Sequence, residues 1–412
     1  MDIGKSFFRG SIVMLFFFGI FNILNFLFQI IIARSLTLSE YSVVATLLAI
    51  VYALSVFSEA IQLVVAKYAS SEKNLRKLKC LLKNSMREGL KVSSLFFILY
   101  LIVTIPLSKL LGIGPLLFSI NGFVIFLVFL LPVARGIMQG RKEFAKLGGS
   151  MAVESLGKVI FTVLLIFFGY GVYGVVIGNL IAMTLALVVA VMVLRDIFRE
   201  KEENMETPRI RDYSKETFFV VLAVTLAYSM DIIIARAVFS PEISGAYAIA
   251  SILAKAIFWG TSPISKTLFP YASSRNGNRR EIRKTLFSSF IIMGGIILIA
   301  LLIFYFFPRE IIGLFAGESN NLSVSVLFLL GIGISIIAIT NNFLVFKLSE
   351  GGVKRSYLLF IAILIEAALL FIFSDTAVCF ALAFVASAII FFLFSIIILF
   401  EKRILKDIKR FK

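Results

Sequence analysis

Long apolar runs alternate with short polar connections along the whole chain. Twelve of these runs, of about 17 to 25 residues, are long enough to cross a bilayer as helices. Lipid offers the backbone no hydrogen-bonding partner, so a spanning segment must be a helix or part of a closed barrel. The runs lie near residues 11–33, 42–66, 93–108, 116–134, 150–169, 172–194, 217–235, 244–268, 286–307, 323–346, 357–373 and 376–400. This pattern predicts an all-α integral membrane protein with twelve transmembrane helices.

The composition supports a membrane protein and excludes several enzyme classes. Of the 412 residues 60% are hydrophobic and 44 are Phe, more apolar surface than one soluble core can hide. The chain has no His, which excludes His-based triads, His metal sites and imidazole switches. Its two Cys cannot form a thiolate cluster, and no nucleotide-binding P-loop motif is present. We therefore expect no enzyme, no cofactor and no metal, and transport driven by a gradient or a partner.

The distribution of basic residues predicts the orientation, because cytoplasmic loops carry the excess of Lys and Arg. With the amino terminus inside, cytoplasmic connections and termini hold 34 of the 41 basic residues. The outer connections hold Arg34, Lys109, Arg236 and Arg309, and the spans hold Lys158, Lys255 and Lys266. Both termini are therefore predicted to be cytoplasmic. The most basic stretches, 70–91 and 272–284, are interpreted as topology signals that lie beside anionic headgroups. We expect no nucleic-acid site in them, because no soluble domain is present to support one.

An internal repeat divides the chain into halves. The segment QIIIARSLTLSEY at 29–41 returns as DIIIARAVFSPEI at 231–243, and KYASS at 67–71 returns as PYASS at 270–274. These offsets of 202 and 203 residues keep the halves in register over a helix pair. Six spans in each half give both copies the same orientation, which predicts parallel repeats.

The predicted domains follow from this repeat. We expect an amino-terminal lobe at 1–200, a polar cytoplasmic linker at 201–214 and a carboxyl-terminal lobe at 215–412, each lobe with six transmembrane helices. Two such lobes facing each other favour alternating access to a central cleft near the middle of the membrane. A duplicated bundle that is packed shut, such as a membrane enzyme or scaffold, is the alternative.

Ionisable residues inside spans are candidate functional groups, because an unpaired charge there is costly. The candidates are Glu59, Glu154, Lys158, Asp231, Lys255, Lys266 and Glu366. Glu154 and Lys158 are four residues apart on one helix and can form a pair. Asp231 lies at a depth that allows pairing with Lys255. Each of these pairs has a structural interpretation and an interpretation as an ion or proton site.

Polar residues on the duplicated spans favour a cleft that equivalent spans of both halves line together. Lys255 and Lys266 are eleven residues apart, which places them on about the same face of a helix. Glu59 and Gln62 lie on the equivalent span of the first half, and Asn22, Asn25 and Gln29 form a stripe on the first span. Such a stripe either joins helices or lines a cleft. Arg34 and Arg236 occupy equivalent positions at the outer rim, as snorkelling anchors or as phosphate-receiving groups.

The order of these features resembles the polysaccharide-flippase branch of the multidrug/oligosaccharidyl-lipid/polysaccharide (MOP) exporter superfamily. The similarity covers the two parallel halves together with ARSLTLSEYSVVATLLA at 33–49, RGIMQGRKEF at 135–144 and SPEISGAYAIASILAKAI at 240–257. Ser42 departs from the family, which often has Gly at that place.

The resemblance implies a flippase in the cell membrane that moves a lipid-linked oligosaccharide, a polyprenyl phosphate or diphosphate sugar, from the cytoplasmic to the outer leaflet. It implies a cationic cavity in which Lys255 and Lys266 receive the phosphate, with Arg9 and Lys67 at the inner mouth and Gln62 and Asn25 beside them. Expected partners are this substrate and membrane lipids, with protons or sodium as candidate coupling ions.

The main alternative is a multidrug antiporter of the same superfamily, coupled to protons or sodium through Asp231 and Glu59. The four acids and three lysines within the predicted spans favour it, since a diphosphate cavity should be more cationic. A membrane glycosyltransferase would require paired carboxylates or a D-x-D metal site, and the sequence has neither.

Overall fold

The computed structural model describes the backbone of residues 3–205, 215–273, 279–349 and 355–410, and side chains within 16–205, 217–264, 287–348 and 355–398. Regular structure in these ranges is entirely helical. The helices are α1 Ile3–Ser35, α2 Leu38–Ser71, α3 Leu75–Leu111, α4 Pro115–Gly122, α5 Val124–Gly140, α6 Phe144–Phe167, α7 Gly171–Val193, α8 Arg195–Phe198, α9 Lys215–Val238, α10 Pro241–Ser273, α11 Arg279–Phe306, α12 Pro308–Ala316, α13 Asn321–Ser349, α14 Leu359–Ile372 and α15 Ala377–Arg410, with a 3-10 turn at Ser356–Leu358.

The chain forms two compact units, Met1–Tyr213 and Ser214–Lys412. In the first unit α2 packs against α5, and α6 packs against both α1 and α7. In the second unit α10 packs against α13, and α15 packs against α13 and α14. Each unit therefore buries apolar faces of its own helices.

Within the described residues eleven helical segments are long and apolar enough to cross a membrane, which confirms a multi-pass membrane protein. The run predicted at 357–373 instead forms a shorter apolar segment, Ser356–Ile372. The run predicted at 116–134 is interrupted at Phe123, where the chain passes from α4 to α5. There Phe123 N donates to Ile120 O in a tightened turn, so an apolar run did not guarantee a single helix.

The repeat extends to the helix ends. Helix α2 begins at Leu38 and α10 at Pro241, 203 residues later, and a hydroxyl side chain precedes both. Thr37 Oγ1 accepts a hydrogen bond from Glu40 N at 3.3 Å, and Glu40 Oε2 accepts one from Thr37 N at 3.0 Å. Ser240 Oγ accepts one from Ile243 N at 3.4 Å. The same type of N-terminal cap therefore starts the second span of each half.

Two glycines bring α5 close to α2. Gly136 and Gly140 lie one helical turn apart on α5, and a Cβ at Gly140 would be 2.5 Å from Ala69 Cβ and 2.6 Å from Ala66 O. A Cβ at Gly136 would be 2.8 Å from Gln62 O. Small residues at this spacing let membrane helices pack backbone against backbone. This packing carries the end of α5, with Arg135, alongside α2.

Helix α8 is held close to the end of α5. Arg141 Nη2 lies 2.7 Å from Asp196 Oδ2 and 2.9 Å from Glu143 Oε1. Burial raises the pKa of Asp196, but the hydrogen bond and positive charge of Arg141 outweigh that effect and lower this pKa below its ordinary value. Asp196 is therefore ionised at neutral pH, and the pair fixes the point at which the chain leaves α7.

Candidate functional site

The first unit contains a buried cluster of two cations and one carboxylate. Arg135 on α5 pairs with Glu154 on α6, with 2.8 Å between Nη2 and Oε2. Lys158, one turn further along α6, places its Nζ 3.3 Å from Glu154 Oε1, so the predicted pair with Glu154 forms. Lys158 Nζ also donates to Asn25 Oδ1 on α1 at 3.4 Å. The cluster joins three helices and includes Asn25, which the sequence predicted as a binding residue.

This amino-terminal cluster has one positive charge in excess and spare donors. Arg135 donates from Nε to Ser150 Oγ and from Nη2 to Ser150 O, and none of its contacts with described residues uses Nη1. Lys158 Nζ has three protons and makes two contacts within the described part of the chain. The side chains of Arg135 and Lys158 are 11% and 15% exposed, so both are nearly withdrawn from solvent. An excess charge in such a place favours an anion as a further partner.

Arg135 was missed by the sequence reasoning, which assigned it to a cytoplasmic connection. The structure continues α5 to Gly140, within the candidate span Pro115–Gly140. Its guanidinium is directed at Glu154 rather than at solvent. The apolar run ends just before Arg135, and no local signal in the sequence shows that the helix goes on past it.

The second unit contains a buried cluster with an excess of negative charge. Asp231 on α9 is fully buried, and its Oδ1 accepts a hydrogen bond from Lys255 Nζ on α10 at 2.9 Å. Its Oδ2 accepts hydrogen bonds from Ser251 Oγ and from Tyr247 OH. The pair expected from depth is therefore present, and donors occupy both Asp231 oxygens. Whether the pair has a structural or a coupling role remains a prediction.

Glu366 adds a second carboxylate to this carboxyl-terminal cluster. It lies on α14, is 2% exposed, and interacts electrostatically with both Asp231 and Lys255. Within the described part of the chain its Oε1 is buried without a hydrogen-bonding partner. Two carboxylates and one ammonium leave a negative charge when all three are ionised. An excess negative charge in such a place suits a cation or a proton as a further partner.

The repeat places a neutral pair in the first unit where the second unit has an ionic one. Asp231 lies 202 residues after Gln29, and Lys255 lies 203 residues after Tyr52. Gln29 Nε2 donates to Tyr52 OH at 3.4 Å, across the same two helices of the repeat. The contact between these helices therefore exists in both halves, and only the second half builds it from charges.

The other predicted binding residues lie on α1, α2 and α10. Gln62 on α2 donates from Nε2 to Gln139 Oε1 on α5 at 2.8 Å, so it joins two helices. Glu59 and Lys67 on α2 are exposed. Arg9 and Lys266 lie on α1 and α10, and their side chains are outside the described residues. The roles predicted for these residues are not tested by the structure.

The two arginines predicted at the rim differ in environment. Arg34 lies in the last turn of α1 and is exposed. Arg236, near the end of α9, is 7% exposed and interacts electrostatically with Glu242. Equivalent repeat positions therefore carry the same residue in different surroundings. Among the described residues no group of three His, Cys, Asp or Glu is arranged to hold a metal ion.

Comparison with solved structures identifies the fold. The lipid II flippase MurJ in an inward-closed conformation matches with a TM-score of 0.71 at 17% identity, over 96% of this chain and 87% of that chain. An inward-facing multidrug resistance MATE family transporter of the MOP superfamily matches with a TM-score of 0.70 at 13% identity, over 91% and 94%. A MOP superfamily transporter from Pyrococcus furiosus, described as having a binding pocket of reverse polarity, matches with a TM-score of 0.53 at 14% identity, over 97% and 96%.

Sequence comparison identifies the family. No curated protein matches the chain. A family model described as polysaccharide biosynthesis protein matches residues 31–325, more than half of the chain and parts of both halves. The chain therefore belongs to the polysaccharide biosynthesis protein family, and it has the fold of the flippases and transporters of the MOP superfamily.

Proposed function

We propose that this protein is a flippase that moves a lipid-linked oligosaccharide, a polyprenyl phosphate or diphosphate sugar, from the cytoplasmic to the outer leaflet by alternating access. The family is one of polysaccharide biosynthesis, and the fold is shared with a lipid II flippase. The observation that carries the proposal is the amino-terminal cluster of Arg135, Glu154 and Lys158, with its excess positive charge and spare donors.

In this proposal Arg135 and Lys158 receive the phosphate. A phosphate needs several donors to replace its hydration shell, and donors withdrawn from water bind it more strongly than exposed ones. Arg135 offers Nη1 and Lys158 its remaining Nζ proton, while Glu154 holds both side chains in place. Lys255 and Lys266, together with Arg9, Lys67, Gln62 and Asn25, remain proposed contacts. At Lys255 an incoming phosphate would compete with Asp231.

The test is flipping by purified protein in liposomes, with a fluorescent polyprenyl diphosphate sugar whose leaflet is reported by a quencher. We expect Lys158→Met to lower the flipping rate by roughly 10- to 100-fold, because a charge-assisted hydrogen bond contributes about 1.5–3 kcal/mol. Lys158→Arg should restore most of the rate. The matched control is Lys109→Gln, which removes an exposed lysine at the end of α3 in the same unit. Unchanged flipping by Lys158→Met would contradict the phosphate site.

A second function, antiport of an organic cation against protons or sodium, is favoured by the carboxyl-terminal cluster. Asp231 and Glu366 exceed Lys255 by one acid, so this cluster suits a cation or a proton. The same liposomes separate the two functions. A flippase moves the diphosphate sugar, whereas an antiporter accumulates an organic cation dye against an imposed proton or sodium gradient. Dye accumulation without movement of the lipid would select the antiporter.

A further inference from the structure

Helix α3 has a basic end that extends beyond a membrane. Its 37 residues make a helix about 55 Å long, whereas the hydrocarbon core of a bilayer is about 30 Å thick. The first half of α3, which we call the basic end, carries one acid, Glu88, and six cations: Arg76, Lys77, Lys79, Lys83, Arg87 and Lys91. These side chains therefore lie at the depth of the lipid headgroups or in the adjoining water.

An acidic segment of the same unit covers part of this basic end. The segment is residues 199–205, which follow α8 and carry three Glu, one Arg and one Lys, and for its three carboxylates we call it the acidic strap. Lys83 Nζ lies 2.6 Å from Glu202 Oε2, Arg76 Nε 3.5 Å from Glu200 Oε2, and Lys77 Nζ 3.8 Å from Glu203 Oε1. Three carboxylates of the strap are thus matched with three cations of α3.

The backbone of the strap is also held on α3. Lys79 Nζ donates to Phe198 O at 2.9 Å and to Glu200 O at 2.7 Å, and Glu203 N donates to Arg76 O at 3.3 Å. At the far end of the strap, Met205 packs against the core of the first unit, and its carbonyl lies 3.9 Å from Cys80 Sγ. Cys80 is 2% exposed. The strap therefore closes over the side of α3 that carries this cysteine.

The ion pairs between the strap and the basic end are weak enough for an anion at the membrane surface to replace the strap carboxylates. The side chains of Lys83 and Arg76 are 63% and 57% exposed despite their pairing, and exposed pairs are weak and screened by salt. Arg87 is exposed, and the one acid among the described residues that pairs with Lys91 is Glu88 of the same helix. The basic end can therefore bind further negative charge, and clustered Lys and Arg beside a span attract anionic lipids.

We propose that the basic end of α3 is a binding surface for anionic phospholipid headgroups of the surrounding bilayer, and that the acidic strap is a built-in competitor for it. Charge complementarity and the position of α3 relative to the membrane support this partner. Binding of anionic lipid exchanges carboxylates for phosphates on Arg76, Lys77 and Lys83, and it releases the strap from Cys80. The proposal concerns a surface separate from the amino-terminal cluster and does not depend on what the protein transports.

The labelling rate of Cys80 by a small maleimide tests the proposal. Cys379→Ser leaves Cys80 as the only cysteine of the chain. The protein is placed in nanodiscs of phosphatidylcholine alone or with one third phosphatidylglycerol. We expect labelling several-fold faster with phosphatidylglycerol, and a return to the slow rate at high salt. The triple variant Glu200→Gln, Glu202→Gln, Glu203→Gln should be labelled rapidly in both lipids, because its strap has lost its carboxylates.

Two further variants make the result specific. Lys109→Gln removes an exposed lysine at the other end of α3, away from the basic end and the strap, and it should behave like the unaltered protein. Arg87→Gln with Lys91→Gln removes cations outside the strap contacts, and it should keep slow labelling in phosphatidylcholine while weakening the response to phosphatidylglycerol. Equal labelling in both lipids would overturn the lipid partner, and so would acceleration by a polyprenyl diphosphate but not by phosphatidylglycerol. Slow labelling of the triple variant would overturn the competitor role.

Discussion

Buried charge differs in sign between the halves of this chain. Arg135 and Lys158 exceed Glu154 by one cation in the first unit, and Asp231 and Glu366 exceed Lys255 by one acid in the second. Opposite excess charges suit opposite ligands, an anionic headgroup in one unit and a proton or cation in the other. The first cluster therefore fits the proposed lipid-linked substrate, and the second fits the proposed coupling ion.

The neutral pair of the first unit provides a replacement for the ionic pair of the second. We expect Asp231→Ala alone to destabilise the protein by about 3–5 kcal/mol, because it leaves the Lys255 ammonium buried without its carboxylate. The double variant Asp231→Gln, Lys255→Tyr copies Gln29 and Tyr52 and should regain most of that loss. Thermal unfolding of the two variants in detergent measures the difference.

Transport by the double variant then separates structure from function. We expect it to unfold near the temperature of the unaltered protein but to flip lipid at least roughly tenfold more slowly if the charges couple transport to an ion. Normal flipping by a stable double variant would show that the ionic pair has only a structural role. A double variant as unstable as Asp231→Ala would contradict the equivalence of the two sites.

At this scale the sequence predicted some contacts and missed others. The pairs Glu154–Lys158 and Asp231–Lys255 followed from spacing on one helix and from depth in the membrane. The sequence did not assign Arg135 to a transmembrane helix, because this residue follows the apolar run. The helix continues past it through packing against α2. The hydrogen bond between Gln62 and Gln139 joins helices far apart in sequence, so no local pattern could reveal it.

At the scale of the helices, positions were predicted well and lengths were not. The third apolar run begins near residue 93, yet α3 begins at Leu75, where Asn74 Oδ1 caps the helix by accepting a hydrogen bond from Arg76 N at 3.0 Å. Helix α8 and the strap are too short and polar to give a periodic signal. Apolar runs show which residues contact lipid. Contacts within the protein determine where a helix starts.

The glycine contact between α5 and α2 allows a test of helix packing. We expect Gly140→Ala to destabilise the protein by about 1–3 kcal/mol, because its Cβ would meet Ala69 Cβ and the Ala66 carbonyl, and backbone atoms cannot move aside. Gly149→Ala is the matched control, since no described atom lies within 4 Å of the Cβ position of this glycine of α6. It should leave the unfolding temperature unchanged or raise it slightly. Equal effects of the two substitutions would show that close packing at Gly140 does not limit stability.

At the scale of the whole molecule, duplication determines the architecture. Caps at Thr37 and Ser240, short proline-led helices at Pro115 and Pro308, and helix ends 203 residues apart recur in both halves. Sequence similarity between the halves survives in only a few segments, whereas these features follow one order throughout. The sequence could therefore predict the repeat, and the described helices add matching starts, caps and short proline-led helices that no sequence similarity shows.

Parallel halves require that equivalent positions face the same side of the membrane. We expect Thr37→Cys and Ser240→Cys, each introduced singly after Cys80→Ser and Cys379→Ser, to react with an impermeant maleimide added outside intact cells, since both residues are exposed ahead of equivalent helices. Lys73→Cys, also exposed, lies beyond the other end of α2 and should react only after the cells are opened. Labelling of Thr37→Cys and Ser240→Cys from opposite sides would mean that the halves are inverted. Labelling of both only from inside would keep the parallel repeat but reverse the orientation predicted from the basic residues, and the proposed direction of flipping would reverse with it.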